Sequence, residues 1–261
     1  MLRMMPARTY VQRGADHSLE HPGLGFAGWK DIEIPVDPEH TAIIVMHAWD
    51  SGTQETQPVS WDMVEYIERA NQIVQERFPG FLEKVRASGI RLIHIGAGFE
   101  KGFEDLPGYR RVASECPPET VERLAVEDEA GKALWQLRLG KDDDQLVKEL
   151  FDRDFIIKAQ DHEDVVKTSG QLFHLCKKYG ISHLIYTGFA VNACLVSSAG
   201  GYIDMVRHGV ICSIVSDLTT AVENKETCVE QRNKEDGLWK FAIGAGFVLD
   251  QKNVEEDLLT K

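Results

Sequence analysis

Thr41 to Met46 (TAIIVM) is a short, almost continuously apolar, β-branched run, the pattern of a strand buried on both faces of a parallel sheet. The period then changes. From Trp61 to Ser88 the apolar positions Met63, Ile67, Ala70, Ile73, Val74, Phe81, Leu82 and Val85 recur at helical spacing, and Gly89 closes the segment as a C-terminal glycine would. Ile90 to Ile95 (IRLIHI) reads as a second strand and Phe155 to Lys158 (FIIK) as a third. Thr168 to Tyr179 reads as a helix ended by Gly180, and Ser182 to Thr187 as a fourth strand. The unit then repeats: a helix over Asn192 to Arg207 with Gly209 behind it, a strand over Val210 to Val215, a helix over Lys225 to Trp239 and a short strand over Gly246 to Leu249. Between the second and third strands, Gly98, Gly102, Pro107, Gly108, Pro117 and Pro118 punctuate a stretch that predicts long covering loops, a helix near Glu119 to Leu139 and an acidic run from Asp142 to Asp144. Residues 1–38 show neither period and read as an arm, leaving residues 39–261 as the domain. Strands alternating with helices of this length imply right-handed crossovers and an α/β fold with a doubly wound, mainly parallel sheet.

Composition narrows the function. The 261 residues hold 29 Lys+Arg against 42 Asp+Glu, a formal net charge of −13, which does not suit nucleic-acid binding by counter-ion release. At 43% hydrophobic and 27% charged the chain is composed like a soluble globular protein, and no apolar run has the length of a membrane span. Five cysteines without a CxxC pairing argue against a disulfide framework and a structural zinc site, so the expected compartment is reducing and cytoplasmic. The apolar Phe241 to Leu249 segment, with Trp239, predicts a surface for a homo-oligomer.

In a doubly wound sheet ligands bind at the carboxyl ends of the strands, so reactive side chains standing just after a strand are the candidates. His47 follows the first strand, Lys158 ends the third, and Cys194 lies a short turn beyond the fourth at the start of a helix. A helix N-terminus and a nearby lysine favour a thiolate, and a histidine can take the thiol proton and return it to a leaving group. Cys176 on an apolar helix face and Cys212 inside a strand read instead as core.

Ile181 to Thr220 (ISHLIYTGFAVNACLVSSAGGYIDMVRHGVICSIVSDLTT) resembles the signature region of the isochorismatase-like cysteine hydrolases, the family of nicotinamidases and N-carbamoylsarcosine amidases. Gly188, Phe189, Ala190, Asn192, Cys194, Gly209 and Asp217 fall in step with it, Val191 replaces the usual Thr, TAIIVMH resembles the family's first strand and FIIK its lysine strand. The resemblance spans roughly residues 40–250. It implies a single-domain, three-layer α/β/α fold and an Asp, Lys, Cys catalytic set in which the cysteine attacks an amide-type carbonyl. It also implies an oxyanion held by the backbone N–H groups of Cys194 and Ala190, with a cis peptide between Phe189 and Ala190.

Two departures accompany it. The aspartate position holds His47, which a neighbouring Lys⁺ would push toward the neutral form while leaving it a competent base. The Asp-x-His pair with which nicotinamidases bind metal is absent from HIGAGFE; His47, His94 and His162 could in principle converge on a metal, but spacing alone gives that little weight, and neither a metal nor another cofactor is expected. His162 and Asp164, following the lysine strand, are expected to line the substrate pocket, with Trp49, Phe99 and the loops from Gly98 to Asp154 as its roof. The expected activity is hydrolysis of a C–N bond in a small-molecule amide, ureido or carbamoyl compound. The alternative is a catalytically silent relative that binds a small molecule or serves as an assembly partner.

Overall fold

A computed structural model describes residues 2–48, 52–98, 100–120, 122, 128–139 and 159–260. Among them the strands form one eight-stranded sheet. Its strands are β1 (Arg3–Val11), β2 (Gly28–Val36), β3 (Thr41–Met46), β4 (Arg91–Ile95), β5 (Asp164–Val166), β6 (His183–Gly188), β7 (Ile211–Thr219) and β8 (Val248–Leu249), in the order β2-β1-β8-β7-β6-β3-β4-β5. From β8 to β5 all neighbours are parallel, and the β1–β2 hairpin adds itself antiparallel to β8. Among the described residues the helices are α1 (Pro58–Met63), α2 (Ile67–Glu76), α3 (Phe78–Ser88), α4 (Pro107–Glu115), α5 (Glu129–Leu139), α6 (Ser169–Tyr179), α7 (Cys194–Ser197), α8 (Tyr202–Arg207), α9 (Arg232–Gly244) and the short α10 (Gln251–Asn253).

All six residues of β3 are buried because both faces of the sheet are covered. Ile43 and Val45 point into a core with Val74, Phe81 and Val85 of α2 and α3. Ala42, Ile44 and Met46 point into a second core with Leu172 of α6, Met205 of α8 and Phe241 of α9. The result is the expected three-layer α/β/α arrangement.

The N-terminal segment is not without periodicity. Met5 and Ala7, with Ile34 and Val36, are buried at strand spacing, but Pro6, Pro35 and the charges between them obscure so short an alternation. The hairpin also accounts for the apolar C-terminal segment. β1 reaches β8 through Arg8 and Val248, Tyr10 meets Trp239 edge-on at 6.2 Å, and Phe241, Val248 and Leu249 are fully buried within the chain. Much of the segment expected to drive self-association is therefore packed within the chain beside the arm, while Ile243 stays exposed.

Several boundaries moved. The 61–88 period breaks into three helices, the last begun by Pro79 in its first turn. α4 occupies a stretch read as loop, with Pro107 at its start. The helix expected over 192–207 is two short ones separated by Gly200 and Gly201, so Cys194 opens a single turn whose dipole is much weaker than a long helix would supply. The FIIK strand lies outside the described residues, and the strand beside β4 is Asp164–Val166. No helix among the described residues is long and apolar enough to cross a membrane.

Candidate active site

β3 and β6 are paired with Met46 opposite Gly188, so the chain leaves both strands side by side at the carboxyl edge. Close approach there requires glycine: Gly188 has φ +106, and a Cβ on it would lie 1.9 Å from the Met46 carbonyl oxygen. Phe189 N–H donates to that oxygen at 3.1 Å, and His47 N–H donates to Ile95 O of β4 at 3.0 Å. His47 is thus fixed between the ends of two neighbouring strands. Its backbone is left-handed, with φ +51, a conformation uncommon outside glycine, though Asn, Asp and His adopt it more readily than other residues, and a feature found at functional sites. The imidazole is 5% exposed, and burial pushes its pKa from 6.5 down to about 4, so the ring is neutral at physiological pH. The cause is desolvation.

The Phe189–Ala190 peptide is cis. Along the turn that follows, Val191 N–H donates to Thr220 O at 2.8 Å, while Ala193 and Leu195 N–H both donate to Ala190 O at 3.1 Å. The Ala190 and Cys194 N–H groups donate to no protein acceptor among the described residues. Backbone donors that are spoken for thus alternate with donors left open around a half-buried thiol. Such an arrangement can accept a developing oxyanion.

The expected site residues separate into three groups. His47, Phe189, Ala190 and Cys194 are all on the turns that leave β3 and β6 at the carboxyl edge. Lys158, Trp49 and Phe99 lie outside the described residues. Asp164 and His162 are at the opposite edge: Asp164 is the first residue of β5, bound to Arg111 at 3.0 Å and Arg91 at 3.5 Å, and His162 lines a 380 Å³ cavity with Arg91, Glu163 and Tyr179. Neither of these two therefore stands on the turns that carry His47 and Cys194. Five residues separate Lys158 from the start of β5, and they lead into that strand from the amino edge of the sheet.

The strand-end lysine that β5 does carry is Lys167. Its ammonium sits beside Tyr109 and 3.4 Å from Glu104 Oε1, which hold its pKa above the ordinary lysine range, Tyr109 first. The sequence signal was available in DVVK, but FIIK is the more apolar run and drew the assignment. Also at this edge is Glu100, 3% exposed, whose carboxylate accepts Ala97 N–H at 2.7 Å and Gly98 N–H at 2.8 Å.

The three histidines considered for a metal lie apart. His94 is inside β4 with its Nε2 2.8 Å from Glu163, itself held to about 2 despite burial by His94 and Arg86. No group of three or more metal-ligating side chains gathers among the described residues.

No family model matches the chain. Among curated proteins it is similar to the ureidoacrylate amidohydrolase RutB of Pantoea ananatis, 26% identical over 213 residues covering 81% of each chain. It is also similar to the RutB of Caulobacter vibrioides, 27% identical over 68% of this chain and 72% of that protein. Solved structures resembling it include a cysteine hydrolase from Pseudomonas syringae pv. phaseolicola, with 15% identity, 84% of this chain, 92% of that chain and TM-score 0.48. Another is an isochorismatase-like hydrolase from Alkaliphilus metalliredigens, with 19% identity, 83% and 94% coverage and TM-score 0.46. The curated relatives bear out the resemblance to isochorismatase-like cysteine hydrolases.

Proposed function

From that resemblance we propose that the chain is a cysteine hydrolase cleaving a C–N bond of a small amide, ureido or carbamoyl compound through an acyl-enzyme on Cys194. The observation that carries the reading is that the Ala190 and Cys194 N–H groups, on the turn that bears the half-buried Cys194 thiol, both lack a protein acceptor among the described residues. Ureido compounds head the substrate class because the curated relatives are named for one.

In this reaction Cys194 Sγ gives up its proton to the neutral His47 and bonds to the carbonyl carbon. The carbonyl oxygen takes the negative charge and is met by the two open N–H groups. Collapse of the adduct breaks the C–N bond, and the imidazolium returns the proton to the departing nitrogen. Water then attacks the thioester, passing a proton by way of His47 to the thiol. Lys167 serves as the supporting cation, since it ends the strand beside β4, and Lys158 competes for that role. Five free cysteines suit a reducing, cytoplasmic setting.

A catalytically silent binding protein is the second reading. It is favoured by one observation: a histidine held to about 4 is a weaker base than general-base catalysis near neutrality prefers. A panel of ureido and carbamoyl compounds, including ureidoacrylate, separates the two. Turnover that disappears in Cys194→Ala supports the hydrolase; wild-type protein that binds panel members without turnover, and whose Cys194 resists acylation, supports the silent protein.

A further inference from the structure

A buried carboxylate remote in sequence from the reacting groups is tied to the nucleophile turn through a continuous set of hydrogen bonds. Glu223, 6% exposed, accepts Asn233 N–H at 3.1 Å on one oxygen and Lys234 N–H at 3.0 Å on the other. These are first-turn amides of α9, whose own N-cap residue, Gln231, makes no side-chain capping bond. Glu223 therefore caps α9 from outside, where a negative charge is favoured. The Glu223 backbone amide helps to lower the pKa of Glu65, after its Arg69 partner, which Glu65 grips with both oxygens at 2.7 and 2.8 Å.

The residue before it carries the connection onward. Val222 N–H donates to Asn192 Oδ1 at 2.8 Å, and Val222 O accepts Asn192 Nδ2 at 2.9 Å and Asn233 Nδ2 at 3.0 Å. Two residues upstream, Thr220 O accepts Val191 N–H. α9 also presses directly on the turn: a Cβ on Gly237 would lie 2.8 Å from Val191 Cγ1, so only glycine lets the helix come this close. Val191 and Asn192 lie, with Ala193, between the Ala190 and Cys194 amides, so holding them restricts where those two N–H groups point.

We propose that Glu223 is a positioning residue for the acyl-transfer site, holding α9 and the 220–223 loop so that the oxyanion donors of the Cys194 turn stay aligned. The inference rests on Cys194 being the nucleophile.

Two reactions of the full chain separate alignment from thiol reactivity. Acylation by p-nitrophenyl acetate, read as the nitrophenolate burst, passes through an oxyanion; alkylation by iodoacetamide, read by mass, does not. Loss of one oxyanion donor costs hundreds-fold or more, and a displaced one less, so Glu223→Ala is expected to lower Cys194 acylation about tenfold while alkylation stays within about twofold. Glu223→Gln, whose amide oxygen still caps one N–H, falls between. Both reactions falling together, or an acylation-to-alkylation ratio equal to wild type in both variants, overturns the proposal. If Glu223→Ala does not melt as a folded protein, Asn233→Ala severs only the exposed Nδ2 bond to Val222 O; an unchanged ratio there overturns it equally. Wild-type protein inert to both reagents removes the hydrolase reading first, and this inference with it.

Discussion

Replacing His47 by Asn tests whether the imidazole is dry and neutral. Asn suits the left-handed backbone at φ +51, so the substitution removes the titrating ring without forcing the turn open. In the unfolded chain the ring takes a proton near its ordinary 6.5, whereas the folded protein refuses it until about 4. The unfolded state thus binds more protons through this interval. The contribution to stability is complete above pH 6.5 and is lost as pH falls towards 4. At 1.36 kcal/mol per pKa unit, the loss is about 3 kcal/mol. Urea unfolding of wild type and variant at about pH 7 and about pH 4 gives a double difference in which His183, also pushed down to about 4 by burial, cancels. Wild type is expected to lose about 3 kcal/mol more than His47→Asn over that range. A double difference below about 0.5 kcal/mol would mean that the ring titrates normally, and would refute the neutral, desolvated base. If His47 is the base, the acid limb of kcat/KM sits near 4 instead of near 6.5.

Three further outcomes are expected. Lys167→Ala moves the pH profile of Cys194 alkylation to higher pH, because a cation that favours the thiolate is gone; a superimposable profile with Lys158→Ala shifted instead assigns the role to Lys158. Ile34→Ala lowers unfolding free energy by about 3 kcal/mol, since Ile34 is 5% exposed in the core beneath the hairpin; a loss below about 0.5 kcal/mol would return residues 1–38 to the status of a dispensable arm. Asp164→Asn lowers stability by about 2 kcal/mol through its Arg91 and Arg111 contacts and leaves Cys194 alkylation unchanged; an altered alkylation rate would restore Asp164 to the reacting site.

The central strands were legible because burial on both faces leaves an unbroken apolar run, and TAIIVM and SHLIYT had no competing period. The N-terminal hairpin was not, since only Met5, Ala7, Ile34 and Val36 face the core and two prolines interrupt them. The helix boundary at Cys194 failed for a related reason: the apolar spacing continues through 192–207, but Gly200 takes φ +79 and the chain turns there. The nucleophile turn was identified by its local motif. The Glu223 connection has no sequence period at all, because it consists of one side chain meeting two amides ten and eleven residues away.

The burial at position 47 also bears on why histidine stands there. A carboxylate in the same place would lose its hydration and need a cation in contact, while a neutral imidazole needs neither. The ammonium of Lys167 is meanwhile engaged by Tyr109 and Glu104, on and just before α4. A neutral residue after β3 and a lysine satisfied elsewhere are mutually consistent, since neither leaves a buried charge uncompensated. Proton transfer from Cys194 to His47 would create an imidazolium in that dry position and a thiolate beside the open amides. Stabilising that ion pair then falls to fixed N–H dipoles together with the supporting cation, which makes the alignment of the Ala190 and Cys194 amides more consequential here than it would be with an Asp and Lys⁺ pair in contact.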